Sequence, residues 1–454
     1  MGQNGTYQRN FLGPDREGLI KGAYVIKTQF ELFVTRRFLP LFLTQFFGAF
    51  NDNLFKNALV ILITFRLAEA YGMNAQILIT VVAGLFILPF FLFSATAGQI
   101  ADKYEKSFLI HIIKFVEILL MVMTAVAFHF MSLWGLIILL FFMGAQSAFF
   151  GPLKFSILPQ HLREEELVAG NGLVSAGTYI AILLGTMCGG LLVLHEMGRV
   201  YIGVGVVAVA VFGFIASLFI PKAQAFMPDM KIDWNIFRST WNIIAYAASN
   251  GPVFHSVLGI SWFWLIGSVF LSQFPTFSKE ILGGNQEVST FFLVVFSVGI
   301  TIGAVLCNKL LRGKVSGRLI PVSGVGVTVA IAALYCLSFA VARKPYLMGI
   351  AEFLKEPVSW GIIASFLLLA VSGGIFSVPM YAIMQAGTPV EHRARVVACL
   401  NVTDSLGMVL AAVFVSLMLF FNVSVVNVFL AAGAANLVVM PFMCRLARCG
   451  QHDS

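Results

Sequence analysis

The sequence predicts an all-α membrane protein: twelve transmembrane helices in two six-helix halves, with both termini cytoplasmic. Three observations carry this. Of 454 residues, 59% are hydrophobic and 11% charged, with a mean hydropathy of +0.91; a soluble domain is about 25% charged, and no soluble fold hides so much apolar surface. A bilayer core of ~30 Å needs about 20 apolar residues per helix, and the chain offers twelve such stretches. Its Lys and Arg residues fall twenty on one side and six on the other when the N-terminus is placed inside, which sets the orientation by the positive-inside rule.

The spans are expected at 38–65, 76–100, 107–130, 132–157, 168–194, 199–220, 253–279, 288–311, 318–342, 358–384, 393–421 and 423–446. A cytoplasmic arm (1–37) precedes the first bundle (38–220). A polar linker (221–252) separates it from the second (253–446), and a short tail (447–454) ends the chain.

The first span carries Gln45, Gly48, Ala49, Asp52 and Lys56 on one helical face and Phe42, Phe46, Phe50 and Leu54 on another. A charge in hydrocarbon costs about 3 kcal/mol on insertion scales, so Asp52 and Lys56 must meet a partner or a water-filled cavity. Asn51 and Asn53 flank them as further candidates. The second span ends in the turn Gly98-Gln99-Ile100-Ala101-Asp102-Lys103-Tyr104-Glu105-Lys106. In the third, His111, Lys114 and Glu117 climb one face at i+3 steps; either Lys114 snorkels to the interface and Glu117 is paired within the protein, or the two reach a cavity. In the fourth, Gln146 and Ser147 precede Lys154, which has the same two options.

Within the linker, Trp234, Phe237, Trp241 and Ile244 fall at helical spacing. This suits a helix lying in the membrane interface or one packed on the bundle. In the seventh span His255 and Gln273 are placed to line a cavity opposite Asp52, although a satisfied core histidine is the competing reading of His255. Tyr381 and Gln385 end the tenth span; Asn401 and Asp404 lie in the eleventh, Asp404 being the acid buried in that half. Gly151-Pro152 and Ser377-Val378-Pro379 end spans four and ten, and Asn171/Ser175 and Asn401/Ser405 open spans five and eleven. Matching landmarks are what parallel repeats around a central cavity leave, and rocking of two such halves gives alternating access.

Other classes are disfavoured. Cysteines 188, 307, 336, 399, 444 and 449 show no paired or metal-ligand spacing. The net charge of +8 is spread between spans without a patch, so no nucleic-acid partner is expected. No Gly-x-Ser-x-Gly, His-Glu-x-x-His or phosphate loop occurs, so neither an enzyme, a cofactor nor a metal is expected. The first hydrophobic run is too long for a removable signal peptide.

The turn after span two resembles the loop signature of the major facilitator superfamily through Gly98, Asp102 and Lys103; Glu105 and Lys106 replace the usual later glycine and second arginine. The resemblance implies a latch that closes the cytoplasmic side, with Asp102 meeting basic groups and a helix end. The stretch Arg36-Arg37-Phe38-Leu39-Pro40 through Ala49-Phe50-Asn51-Asp52-Asn53-Leu54-Phe55-Lys56-Asn57, with Gly151-Pro152-Leu153-Lys154-Phe155-Ser156-Ile157-Leu158-Pro159 and Gly259-Ile260-Ser261-Trp262-Phe263-Trp264, resembles the bacterial lysophospholipid transporter family. That family includes transporter domains fused to acyltransferase and acyl-ACP synthetase domains. No His here is followed five residues later by Asp, as such an acyltransferase requires, so a separate cytoplasmic acyltransferase/acyl-ACP synthetase is the implied protein partner.

The resemblance implies flipping of lysophosphatidylethanolamine and related single-chain lipids from the outer to the inner leaflet of the bacterial inner membrane for re-acylation. Asp52 would meet the ammonium, and Lys56, Lys114 or Lys154 the phosphate; Trp262 in the third motif is a further substrate-binding candidate. A proton-coupled exporter of a siderophore, drug or other amphiphile is the alternative, since cavity acids suit it equally.

Overall fold

Apolar stretches of this length form helices because hydrocarbon offers the backbone no other partner. The computed structural model describes residues 29–341 and 344–449. Most of the expected N-terminal arm, Arg343 and residues 450–454 of the tail lie outside them, with the basic residues assigned there. The first half contains α1 (Leu39–Leu62), α2 (Ala75–Lys103), α3 (Lys106–His129), α4 (Leu133–His161), α5 (Glu164–Val193) and α6 (Gly198–Ser217). A linker helix, α7 (Ile236–Ser249), follows. The second half contains α8 (Gly251–Thr276), α9 (Gln286–Leu311), α10 (Ile320–Ser338), α11 (Pro357–Ala386), α12 (Arg393–Phe420) and α13 (Val425–Cys449).

Local chemistry sets the ends. Asn74, Ser132, Asn235, Asn250 and Asn285 cap the N-termini of α2, α4, α7, α8 and α9 with side-chain oxygens. Glu105 caps α3 by accepting from the Ser107 and Phe108 amides. Among the described residues eleven of these thirteen helices are long and apolar enough to cross a membrane. The linker helix α7, with 14 residues, is too short, and α1 has 24 residues but carries Asn51, Asp52, Asn53 and Lys56 in its middle.

The two halves repeat one pairing scheme. α1 packs on α5, α2 on α4 and α3 on α6; correspondingly α8 packs on α12, α9 on α11 and α10 on α13. The outer faces of α3, α6 and α10 expose Phe108, Phe115, Val204, Phe212, Val322 and Val325, an apolar belt suited to lipid. The halves meet through α2 with α12 and α5 with α9, supplemented by α4 with α12 and α5 with α11.

The end of the bundle at which α1 begins is termed basal. There α2 and α12 are buried together, from Ser94 to Gln99 and from Val396 to Leu400. Towards the opposite, apical end the same helices expose Ile77, Val81 and Leu88, and Leu406, Leu410 and Leu417. Two glycines permit the basal approach: a Cβ on Gly98 would lie 2.7 Å from the Ala398 Cβ and 3.0 Å from the Ala394 carbonyl, and one on Gly172 would lie 2.6 Å from the Ala304 carbonyl.

Gly98→Leu should therefore hold α2 and α12 apart at the base. With Ala394→Cys as reporter, buried in the native contact, labelling by a membrane-impermeant maleimide should rise above wild-type background; unchanged labelling would refute a packing role for Gly98.

Candidate functional site

Between the halves lies a cavity of about 270 Å³, walled by α1, α2, α3, α4 and α5 on one side and α8, α11 and α12 on the other. From the first half come Gln45, Asp52, Asn53, Lys114, Gln146, Ser147, Lys154 and Thr178; the second contributes Phe263, Trp264, Tyr381, Leu400, Asn401 and Asp404. Both lysines on the wall thus belong to the first half, while aromatic rings come from both: Phe86, Phe90, Phe150, Phe155 and Tyr179 from the first, Phe263, Trp264 and Tyr381 from the second.

The amphipathic face of α1 delivers Gln45, Gly48, Ala49, Asp52 and Asn53 to this cavity. Asp52 Oδ2 accepts a hydrogen bond from Ser147 Oγ at 2.7 Å, and among the described residues no lysine or arginine forms a salt bridge with it. Behind it sits a closed network. Lys114 Nζ donates to Glu117 Oε2 at 2.6 Å, with the two side chains 1% and 3% exposed. Gln146 Nε2 donates to the same oxygen at 2.9 Å, and Asn51 Nδ2 to Glu117 Oε1 at 3.2 Å. Gly48 leaves room for the ammonium, since a Cβ there would stand 2.5 Å from Lys114 Nζ. Lys114 therefore does not snorkel to the interface. Nor does Lys154: its ammonium lies over the Phe155 ring, 4.6 Å from the centroid, on the cavity wall. Across the cavity Ser261 Oγ donates to Asp404 Oδ1 at 2.6 Å.

Towards the base the cavity closes on aromatic rings. Phe155 stacks on Tyr381 (4.7 Å, 14°) and Tyr179 on Trp264 (5.8 Å, 18°), while Trp264 Nε1 donates to the Tyr381 hydroxyl at 3.2 Å. Below them Asn171 and Gln385 exchange amide hydrogen bonds of 2.7 and 3.1 Å across the halves. At the base itself Asp102 is fully buried. Its Oδ1 accepts from the Ala394 amide in the first turn of α12 (3.2 Å) and its Oδ2 from Arg395 Nε (3.0 Å). Carboxylate, guanidinium and helix N-terminus reinforce one another there. Beside it, burial works against the charge of Glu105, but hydrogen bonds from Ser107 Oγ and the Ala223, Phe108 and Ser107 amides hold its carboxyl below its usual range.

Several expected site residues lie elsewhere, mostly for reasons of helical phase. Trp264 faces the cavity, so Trp262, two residues earlier, points into the second half and donates to Asn436 at 2.9 Å. Gln273, nine residues on, is half a turn out of phase and meets Ser272. His255 sits near the basal start of α8, its Nδ1 2.6 Å from the Gly251 carbonyl. Lys56 lies a turn beyond Asp52, its ammonium 5.2 Å from the Phe86 centroid. Asn51 and Glu117 stand behind the wall, and Gln385 beneath the aromatic floor. Lys103 lies over its neighbour Tyr104; Arg395 is the cation that meets Asp102.

Sequence reasoning passed over Ser147, Thr178, Tyr179, Trp264 and Arg395 as site residues. The spacing of Ser147 seven residues before Lys154 is a usable signal for one of them. Pairings across the halves leave no trace in local spacing. Among the described residues no cluster of His, Cys, Asp or Glu could hold a metal ion.

Comparisons with known proteins are consistent with this architecture. The family model described as Major Facilitator Superfamily matches residues 41–351. Proteins named "Lysophospholipid transporter LplT" from Escherichia fergusonii and from Escherichia coli K12 are 27% identical over 397 residues, covering 86% of this chain and 90% of theirs. Among solved structures, the transporter FucP in the outward conformation superposes with a TM-score of 0.66 at 13% identity, over 90% of this chain and 98% of that one. A bacterial homologue of the iron transporter ferroportin in the outward-facing state gives 0.64 at 16%, over 89% and 99%.

Glu117→Ala would leave the Lys114 ammonium buried without its partner, a change that costs about 3–5 kcal/mol where a buried pair is broken. It should lower the unfolding temperature in detergent by more than the double change Lys114→Met/Glu117→Leu, which removes both charges together. A single variant as stable as the double would contradict the network.

Proposed function

Because this chain belongs to the major facilitator superfamily, we propose that it carries lysophospholipids, lysophosphatidylethanolamine and its relatives among them, through the membrane by alternating access. The observation that carries the reading is the composition of one cavity: an acid, Asp52, and a lysine, Lys154, on the same wall, among aromatic and aliphatic side chains from both halves. A zwitterionic head group with one acyl chain needs that combination. Asp52 accepts the ammonium, Lys154 the phosphate, and Trp264, Tyr381 and Phe263 supply apolar surface. The similarity to proteins named as lysophospholipid transporters supports the same substrate class.

In this reading α1 is a twelfth span, its polar face turned to the cavity and not to lipid. Both termini are cytoplasmic, following the twenty-to-six distribution of Lys and Arg. The membrane is the bacterial inner membrane. The closed base then faces the cytoplasm, and the substrate enters from the outer leaflet between α2 and α12, which part above Gly98. Delivery to the inner leaflet supplies a separate acyltransferase. An exporter of another amphiphile is the second reading, favoured by Asp52 and Asp404, each held by a serine hydroxyl and unpaired with a base among the described residues.

Asp52→Ala should abolish conversion of externally supplied radiolabelled lysophosphatidylethanolamine into inner-leaflet phospholipid while membrane abundance stays at wild-type level. Wild-type uptake by a well-expressed variant would remove Asp52 from head-group recognition.

Diacyl phosphatidylethanolamine should be transported poorly. Its second chain requires burial worth about 0.8 kcal/mol per methylene, which a one-chain path does not offer. Equal transport of one- and two-chain lipids in proteoliposomes would favour the exporter reading.

A further inference from the structure

The linker between the halves is woven onto the latch. The Met227 amide donates to the Asp102 carbonyl at 3.1 Å, and Arg395, the guanidinium that holds the Asp102 carboxylate, also reaches Met227 Sδ at 3.1 Å. The Lys106 amide donates to the Ala223 carbonyl at 3.1 Å, and its ammonium lies 5.1 Å from the Phe226 centroid. At the start of α7, Gln99 of α2 accepts from the Asp233 amide at 2.8 Å and donates to Ser239 Oγ at 3.0 Å. At the other end, the ring of Tyr246 lies 4.2 Å from that of His392, which itself bonds Arg395. One segment thus grips α2 through Gln99 and Asp102 and α12 through His392 and Arg395.

The same helix has three distinct faces. Ser239, Ile243 and Ala247, at i, i+4 and i+8, are buried against the bundle. About a third of a turn round lie Phe237 and Trp241, with Trp234 just before the cap; they are 76%, 72% and 70% exposed. On the remaining flank Arg238, Asn242 and Ser249 are exposed, Arg238 paired with Asp233 at 2.7 Å. Protein on one side, bulky aromatics on the second and polar groups on the third is the division expected where a bundle, a lipid interface and water meet. Trp is enriched at that level of a membrane. Because α7 packs on the basal ends of α2, α8 and α12, its exposed aromatics lie at the level of the basal end of the bundle.

We propose that residues 221–249 form a lipid-anchored strap: Trp234, Phe237 and Trp241 sit in the head-group layer at the basal surface, and the bonds to Gln99, Asp102 and Arg395 hold the basal latch shut. The base then opens only when the strap releases one of the two helices. This rests on the alternating-access reading but not on the identity of the substrate.

The test uses full-length protein in proteoliposomes without lysolipid, so its outcome is independent of the transport assays. In a variant whose other four tryptophans are replaced by Phe, so that Trp234 and Trp241 alone report, shallow brominated phosphatidylcholine (6,7-dibromo) should quench the fluorescence strongly relative to unbrominated lipid. Fluorescence unchanged by the brominated lipid would place the aromatic face in water and overturn the anchor. Spin labels carried by non-canonical amino acids at positions 103 and 391 report the basal separation of α2 and α12. Gln99→Ala, and separately Phe237→Ser/Trp241→Ser, should each add a longer-distance population to the wild-type distribution. A distribution unchanged by Gln99→Ala overturns the strap, and one unchanged by the aromatic pair overturns its dependence on lipid.

Discussion

An ionic group cannot be left bare in hydrocarbon, and the way each charge escapes that penalty organises this molecule. Lys114 and Glu117 satisfy one another inside the first half, with Asn51 and Gln146 taking the remaining carboxylate positions. Asp102 is satisfied across the halves, by Arg395 and the start of α12. Asp52, Lys154 and Asp404 receive less: a hydroxyl, a ring face and a hydroxyl, all at the cavity. In the proposed alternating-access cycle the three grades suit three uses: a pair closed within one half would hold that half rigid, one closed across the halves would persist only while the base is shut, and partly satisfied groups would keep capacity for a charged ligand.

The skeleton is symmetric where the chemistry is not. The same three helix pairings build both halves, so each can move as a body. Yet both cavity lysines belong to the first half, while the second contributes Asp404 without a lysine or arginine, and aromatic rings line the cavity from both halves.

Closure at the base uses interactions that can be undone. Gly98 and Gly172 let backbones approach to van der Waals contact, which attracts without covalent or strongly directional bonds. The Asn171–Gln385 amide pair and the Phe155–Tyr381 stack add specificity between cavity and base. The linker lies over this closure and bonds both of its helices, so opening the base disturbs the latch and the strap together.

Much of the architecture was legible in the chain because membrane helices are dictated by local composition: length and apolarity place each long helix to within a few residues of where it folds. The polar face of α1 was legible for the same reason, since spacing along one helix determines which residues share a side. Phase decided the errors. Spacing does not say which side of α8 meets the cavity, so Trp262 and Trp264 could not be ranked until neighbouring helices packed on both. Pairing across the halves was likewise beyond local pattern, since Asp102 and Arg395 are 293 residues apart, whereas the i,i+3 spacing of Lys114 and Glu117 placed that pair within reach on one helix. Composition determined that this chain is a bundle of membrane helices with charges inside it. Only the packing of one half on the other decided which charges are structural, which form the latch and which face the cavity, because a buried charge takes its role from the partner that three-dimensional proximity supplies.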